Sequence, residues 1–225
     1  MVTPNTSPEA PRLPAAVLWD MDGTLVDTEP LWIAGEHLLA EQHGAVWTEE
    51  DSLNLVGSDL LVAARYIKGR IGGTMTPEEI VDFLGGRVAA ALREQQEWQP
   101  GVRDLVEEFR AAGVPQALVT MSYAYIAEPV VEALGFDAVV TGDSVTQGKP
   151  HPEPYLTAAE LLGVDPADCV AVEDSGTGAA SANAAGCFVV AVPHAVGVPE
   201  APRRAVVPTL GGLSAADVAK LAGLA

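Results

Sequence analysis

Five short apolar runs punctuate the chain: "AAVLWD" at 15–20, "PQALVT" at 115–120, "FDAVVT" at 136–141, "CVAVED" at 169–174 and "CFVVAV" at 187–192. None alternates cleanly between apolar and polar residues. Continuous Val/Ala/Leu runs are what burial on both faces of a parallel sheet requires. Between them lie segments of helical period: "VRDLVEEFRAAG" at 102–113, "YIAEPVVEALG" at 125–135, "PEPYLTAAELLG" at 152–163 and "GAASANAAG" at 178–186. Each closes on glycine, the usual helix stop. This order predicts an α/β fold, a doubly wound parallel sheet of Rossmann-like type.

One region breaks the rhythm. From about Leu31 to Gln99 the patterns are helical throughout, with no strand run between them. The reading is a helical insert over 31–98, with the α/β core built from 15–30 and 99–225. Residues 1–14, with prolines at 4, 8, 11 and 14, read as a flexible leader without a secretory pattern.

Charge narrows the partners. A formal net charge of −19 and the lack of a basic stripe exclude phosphate-backbone binding, so no nucleic-acid partner is expected. No apolar run approaches the roughly 18 residues of a membrane span, and the expected location is the cytoplasm. Two cysteines, Cys169 and Cys187, lie in or beside apolar runs and read as buried thiols. The chain has only three lysines, so Lys149, in a loop between two core segments, stands out. No sequence feature separates a monomer from a dimer.

In open parallel sheets, ligands bind at the carboxyl ends of the strands. Those ends carry Asp20 and Asp22 after the first run, Thr120 and Ser122 after the second, and Glu173 and Asp174 after the fourth; Lys149 follows the third. Four acids cannot share one crevice ionised without a cation, and an all-oxygen donor set favours Mg²⁺ over Zn²⁺. Neutralised in this way, the site attracts phosphate despite the chain's net charge. Asp20 can then attack phosphorus, and Asp22 can donate a proton to the departing alkoxide and later take one from water. Thr120 and Lys149 supply donors to the phosphoryl oxygens.

The segments "DMDGT" at 20–24, "LVTMS" at 118–122, "GKPHPEPY" at 148–155 and "VEDSGTG" at 172–178 together resemble the four motifs of the haloacid dehalogenase-like hydrolase superfamily. The resemblance runs from about Ala15 to Val207. It implies an aspartyl-phosphate on Asp20, Asp22 as general acid/base, and Mg²⁺ held by Asp20, the Asp22 backbone carbonyl and Asp174, with Glu173 serving the metal directly or through water. It also implies that the insert is a small helical cap over a small phosphorylated substrate. The expected substrate-binding residues are Gly23, Thr120, Met121, Ser122 and Lys149 from the core, Glu29 near the hinge, and Arg87 from the insert. Trp32 is read as facing the substrate or as packing between insert and core.

Competing readings are weighed by residue type and spacing. "GTGAAS" at 176–181 has a dinucleotide-like spacing, but Glu173 and Asp174 beside it would repel a bare pyrophosphate, so it reads as a metal-site turn. "GSD" at 57–59 reads as a loop over the crevice or a helix start at Ser58. His37, His43 and His194 show no ligand spacing, and Lys68 is the one insert lysine that a Schiff-base mechanism could use. The expected function is Mg²⁺-dependent hydrolysis of a small phosphorylated metabolite, a sugar phosphate or phosphoglycolate-like acid. The alternatives are a hexose phosphate mutase of the β-phosphoglucomutase type, which Trp32 in place of a hinge histidine disfavours, and a non-catalytic phospho-ligand binder.

Overall fold

The computed structural model describes residues 12–194 and 196–224; most of the leader expected over 1–14 lies outside them. In chain order the elements are β1 (Val17–Trp19), α1 (Glu29–Gln42), α2 (Glu49–Leu53), α3 (Leu60–Ile71), α4 (Pro77–Glu94), α5 (Val102–Ala111), β2 (Gln116–Val119), α6 (Ala124–Leu134), β3 (Ala138–Val140), α7 (Glu153–Leu162), β4 (Val170–Glu173), α8 (Gly176–Ala184), β5 (Phe188–Ala191), β6 (Arg204–Val206) and α9 (Ala215–Leu221). The six strands form one sheet in the order β3-β2-β1-β4-β5-β6, every pairing parallel. All five apolar runs became strands. Only β6 was missed, a three-residue edge strand whose residues stay half-buried or exposed.

Side-chain size sorts the two faces. Val17, Trp19, Leu118, Val172 and Val190 point to one layer, where Phe109 of α5, Val130 of α6 and Val218 of α9 cover them. Their neighbours Leu18, Ala117, Val119, Ala171 and Val189 point to the other, against Tyr155 of α7 and small residues of α8 such as Ala179 and Ala182. Period-two alternation therefore survives as a contrast of volume on a strand buried on both sides.

The order of strands across the sheet reverses at β1, with β2 on one side and β4 on the other. Register aligns Trp19 with both Leu118 and Val172, which brings Asp20 level with Val119 and Glu173. Such a switch point opens a crevice at the strand ends. Between β1 and α5, helices α1, α3 and α4 pack around their own apolar cluster, including Leu39, Ile67, Ile80 and Leu84. The cap of helix α3 is Asp59, one residue later than the Ser58 start considered from sequence, and its carboxylate accepts from Leu61 N and Val62 N, 3.0 Å each. Gly57 and Ser58 do line the crevice.

Candidate active site

The turn after β1 is built for close approach. Gly23 N donates to Val26 O at 2.8 Å, and Leu25 N to Met21 O at 2.9 Å. Gly23 has φ +82°, and a Cβ there would fall 2.2 Å from Asp174 Oδ2. Only glycine lets the first loop touch the acid after β4. The same logic explains Gly178, where a Cβ would fall 1.9 Å from Glu173 Oε1. The second glycine of "GTG" thus makes room for a carboxylate, and the dinucleotide reading falls away.

Lys149 lies at the centre. Its Nζ donates to Asp20 Oδ1 at 2.7 Å, Glu173 Oε1 at 2.6 Å and Val119 O at 2.9 Å. Burial would lower its pKa, but Asp20 and Glu173 together raise it, so the ammonium persists. Glu173 is fully buried; Oε1 also accepts from Tyr155 OH at 2.6 Å, and Oε2 from Ser175 Oγ at 3.2 Å. Sequence reasoning did not single out Tyr155 or Ser175 for this, although both lie inside quoted motifs.

Asp22 bridges core and insert. Its Oδ1 accepts from Thr28 Oγ1 at 2.6 Å and Trp32 Nε1 at 3.2 Å; Oδ2 accepts from Thr120 Oγ1 at 3.2 Å and Ser122 Oγ at 2.8 Å. Thr120, expected at the substrate, is fully buried and does not line the crevice. Its hydroxyl instead orients Asp22 and accepts from Ser122 N. Thr28 carried no signal of its own in sequence.

Asp20, Glu173 and Asp174 place one carboxylate oxygen each within 4.8 Å of one another, all three buried. Desolvation pushes Asp20 up to about 7 and Asp174 up to about 9, each worsened by neighbouring acids. One ammonium serves two of these three groups; among the described residues, Asp174 receives only a long 3.5 Å bond from Thr24 Oγ1. An electron-rich, oxygen-only corner cradled by Gly23 fits a hard divalent cation. Near the hinge, His194 contacts Glu29 at 3.1 Å and Asp27 at 3.8 Å, which no spacing in the sequence announced.

A cavity of about 440 Å³ extends from these acids into the insert. Asp20, Asp22, Met121, Ser122, Lys149 and Asp174 line one end; Glu29, Trp32 and Glu36 of α1 continue from it. Arg87 does not line it, contrary to expectation: it is exposed on α4, over the Phe83 ring at 5.9 Å. Lys68 is likewise outside it, bonded to Met75 O, which removes the lysine needed for a Schiff base. Gly23 shapes the turn without lining the cavity.

The model of the haloacid dehalogenase-like hydrolases matches residues 14–186. The chain belongs to this family. Among its haloacid dehalogenase-like relatives, hexitol phosphatase B of Escherichia coli (strain K12) is 32% identical over 190 residues, covering 81% of this chain and 85% of that protein. Phosphoglycolate phosphatase of Xanthomonas campestris pv. campestris (strain 8004) is 32% identical over 189 residues, covering 80% and 83%. The solved structure of a CbbY variant from Rhodobacter sphaeroides with xylulose-(1,5)bisphosphate superposes with a TM-score of 0.79 at 25% identity, covering 92% of this chain and 99% of that one.

Proposed function

We propose that the chain is a Mg²⁺-dependent phosphatase of small phosphorylated metabolites, with residues 31–98 as a cap over a core of 15–30 and 99–225. One observation carries the reading: Lys149, Asp20 and Glu173, from three separate segments, form one buried, hydrogen-bonded group, and Asp22 and Asp174 join Asp20 and Lys149 in lining one end of a cavity. A structural ion pair would need neither the cavity nor the third and fourth acids.

Asp20 is the nucleophile. Lys149 holds Oδ1, and no donor among the described residues reaches Oδ2, which is free to attack phosphorus and form an aspartyl-phosphate. Asp22 carries a proton to the leaving alkoxide, then takes one from the water that cleaves the acyl phosphate. The Lys149 ammonium and the Ser122 hydroxyl lie at the same end of the cavity and offer donors to phosphoryl oxygens. Asp20, the Asp22 carbonyl and Asp174 would hold Mg²⁺, which supplies positive charge where the phosphoryl group gathers negative charge. Glu173, its oxygens already engaged by Lys149, Tyr155 and Ser175, is a positioning residue for the lysine.

Asp20→Asn keeps the shape and removes the nucleophile. Phosphate release from 4-nitrophenyl phosphate with Mg²⁺ is expected to vanish while the circular dichroism spectrum stays that of the wild type. Activity surviving in that variant would refute the assignment.

A further inference from the structure

Glu36 is a carboxylate where the apolar lining of the insert would not call for one. It is 6% exposed and lines the cavity among Leu53, Leu55, Ile67 and Val81. Trp47 Nε1 at 3.2 Å and Ser52 Oγ at 2.6 Å both donate to Oε2. No donor among the described residues reaches Oε1, the oxygen left to the cavity. With Oε2 fixed by the protein and Oε1 retaining access to the cavity, the carboxylate is a preformed acceptor that water fills until a ligand donor replaces it. Helix α1 explains the placement: Glu36 lies four residues after Trp32, so one helix face presents an indole to Asp22 and a carboxylate to the cavity beyond.

The charge of that lining is one-sided. Glu36 and the exposed Glu49 of the insert, with Glu29 beside it at the end of the core segment, line the cavity beyond the strand ends. The one lysine or arginine among the described lining residues is Lys149, whose ammonium is held by Asp20 and Glu173; His37 lines it but is exposed. A second phosphate or a carboxylate on the substrate would therefore meet acids with no cation to receive it.

We infer that Glu36 is a specificity-determining residue, whose Oε1 accepts a hydrogen bond from a hydroxyl remote from the phosphate, and that the substrate is the phosphomonoester of an uncharged polyol rather than a bisphosphate or a phosphorylated acid. The inference rests on the phosphatase reading above and narrows its substrate class.

The test compares kcat/KM for sorbitol 6-phosphate, 6-phosphogluconate, glucose 1,6-bisphosphate and 4-nitrophenyl phosphate in wild type and Glu36→Gln. In the variant, Trp47 and Ser52 retain the amide oxygen, so the amide NH₂ faces the cavity and the acceptor becomes a donor. Wild type is expected to prefer sorbitol 6-phosphate over both anionic esters by at least about tenfold. The ratio of sorbitol 6-phosphate to 4-nitrophenyl phosphate is expected to fall about 10- to 100-fold in the variant, and the gap to 6-phosphogluconate to narrow. A merely structural role would lower both esters by one factor and leave that ratio unchanged, which overturns the assignment. Wild-type preference for either anionic ester overturns the substrate class, and that comparison decides even where the variant misfolds. If wild type turns over 4-nitrophenyl phosphate without favouring the polyol ester, only this inference falls; if it hydrolyses no ester at all, the phosphatase reading falls as well.

Discussion

At the scale of single residues, Lys149 and Asp22 show how a side chain's partners define its work. Among the described residues, the Lys149 ammonium is the one cation beside the buried Asp20 and Glu173 carboxylates. Lys149→Met keeps the length of the side chain and removes the charge, leaving Asp20 and Glu173 facing each other. Breaking a buried pair in this way costs about 3–5 kcal/mol. Urea denaturation with chelator present is expected to show a loss of that order, alongside loss of phosphatase activity; a fully stable variant would mean the pair is compensated elsewhere. Trp32 acts one step back, through Asp22. Trp32→Phe preserves the ring's packing but deletes the indole donor to Oδ1, so kcat is expected to fall roughly tenfold while Thr28, Thr120 and Ser122 still hold the carboxylate. An unchanged kcat would make that hydrogen bond incidental.

Elements show why some of this was legible in sequence and some was not. The strands β1 to β5 were readable because burial on both faces demands uninterrupted apolar runs, and their carboxyl ends carried the acids in plain view. β6 and α9 were not readable: an edge strand of three half-exposed residues and a helix of two turns bury too little to impose a pattern. The motif residues converged as expected, yet the roles of Thr120 and Arg87 did not follow from type and position. A hydroxyl serves whichever acceptor the turn places beside it, and an arginine on an amphipathic helix faces solvent unless the far side offers an anion. The cradle for Asp174 depends on a backbone conformation, which sequence announces only as a glycine. Gly23→Ala meets both a positive φ and an overlap with the Asp174 carboxylate. It is expected to lose several-fold to a hundredfold in apparent Mg²⁺ affinity, read from the metal dependence of turnover. Wild-type metal dependence in that variant would separate the turn from the metal.

For the whole molecule, the acidic corner couples stability to pH and to the metal. Asp20 and Asp174 titrate near 3.8 when unfolded but at about 7 and about 9 in the folded, metal-free chain, because burial disfavours their ionised forms. The folded state therefore holds protons that the unfolded chain has released. The stability these two groups contribute is fully present below their unfolded values and is lost as pH rises through their folded values. Lys149, its pKa raised, stays ionised across this window and adds no slope. In chelator, the melting temperature is expected to fall between about pH 5.5 and about pH 8.5, and to fall less in Asp174→Asn, which removes the larger of the two shifts. Held by the ionised carboxylates, as proposed above, Mg²⁺ would stabilise the fold by mass action. It should consequently raise the wild-type melting temperature more at the higher pH than at the lower, and raise that of Asp174→Asn far less. Parallel pH profiles for the two proteins in chelator, or equal stabilisation of both by Mg²⁺, would show that Asp174 neither strains the metal-free fold nor holds the ion.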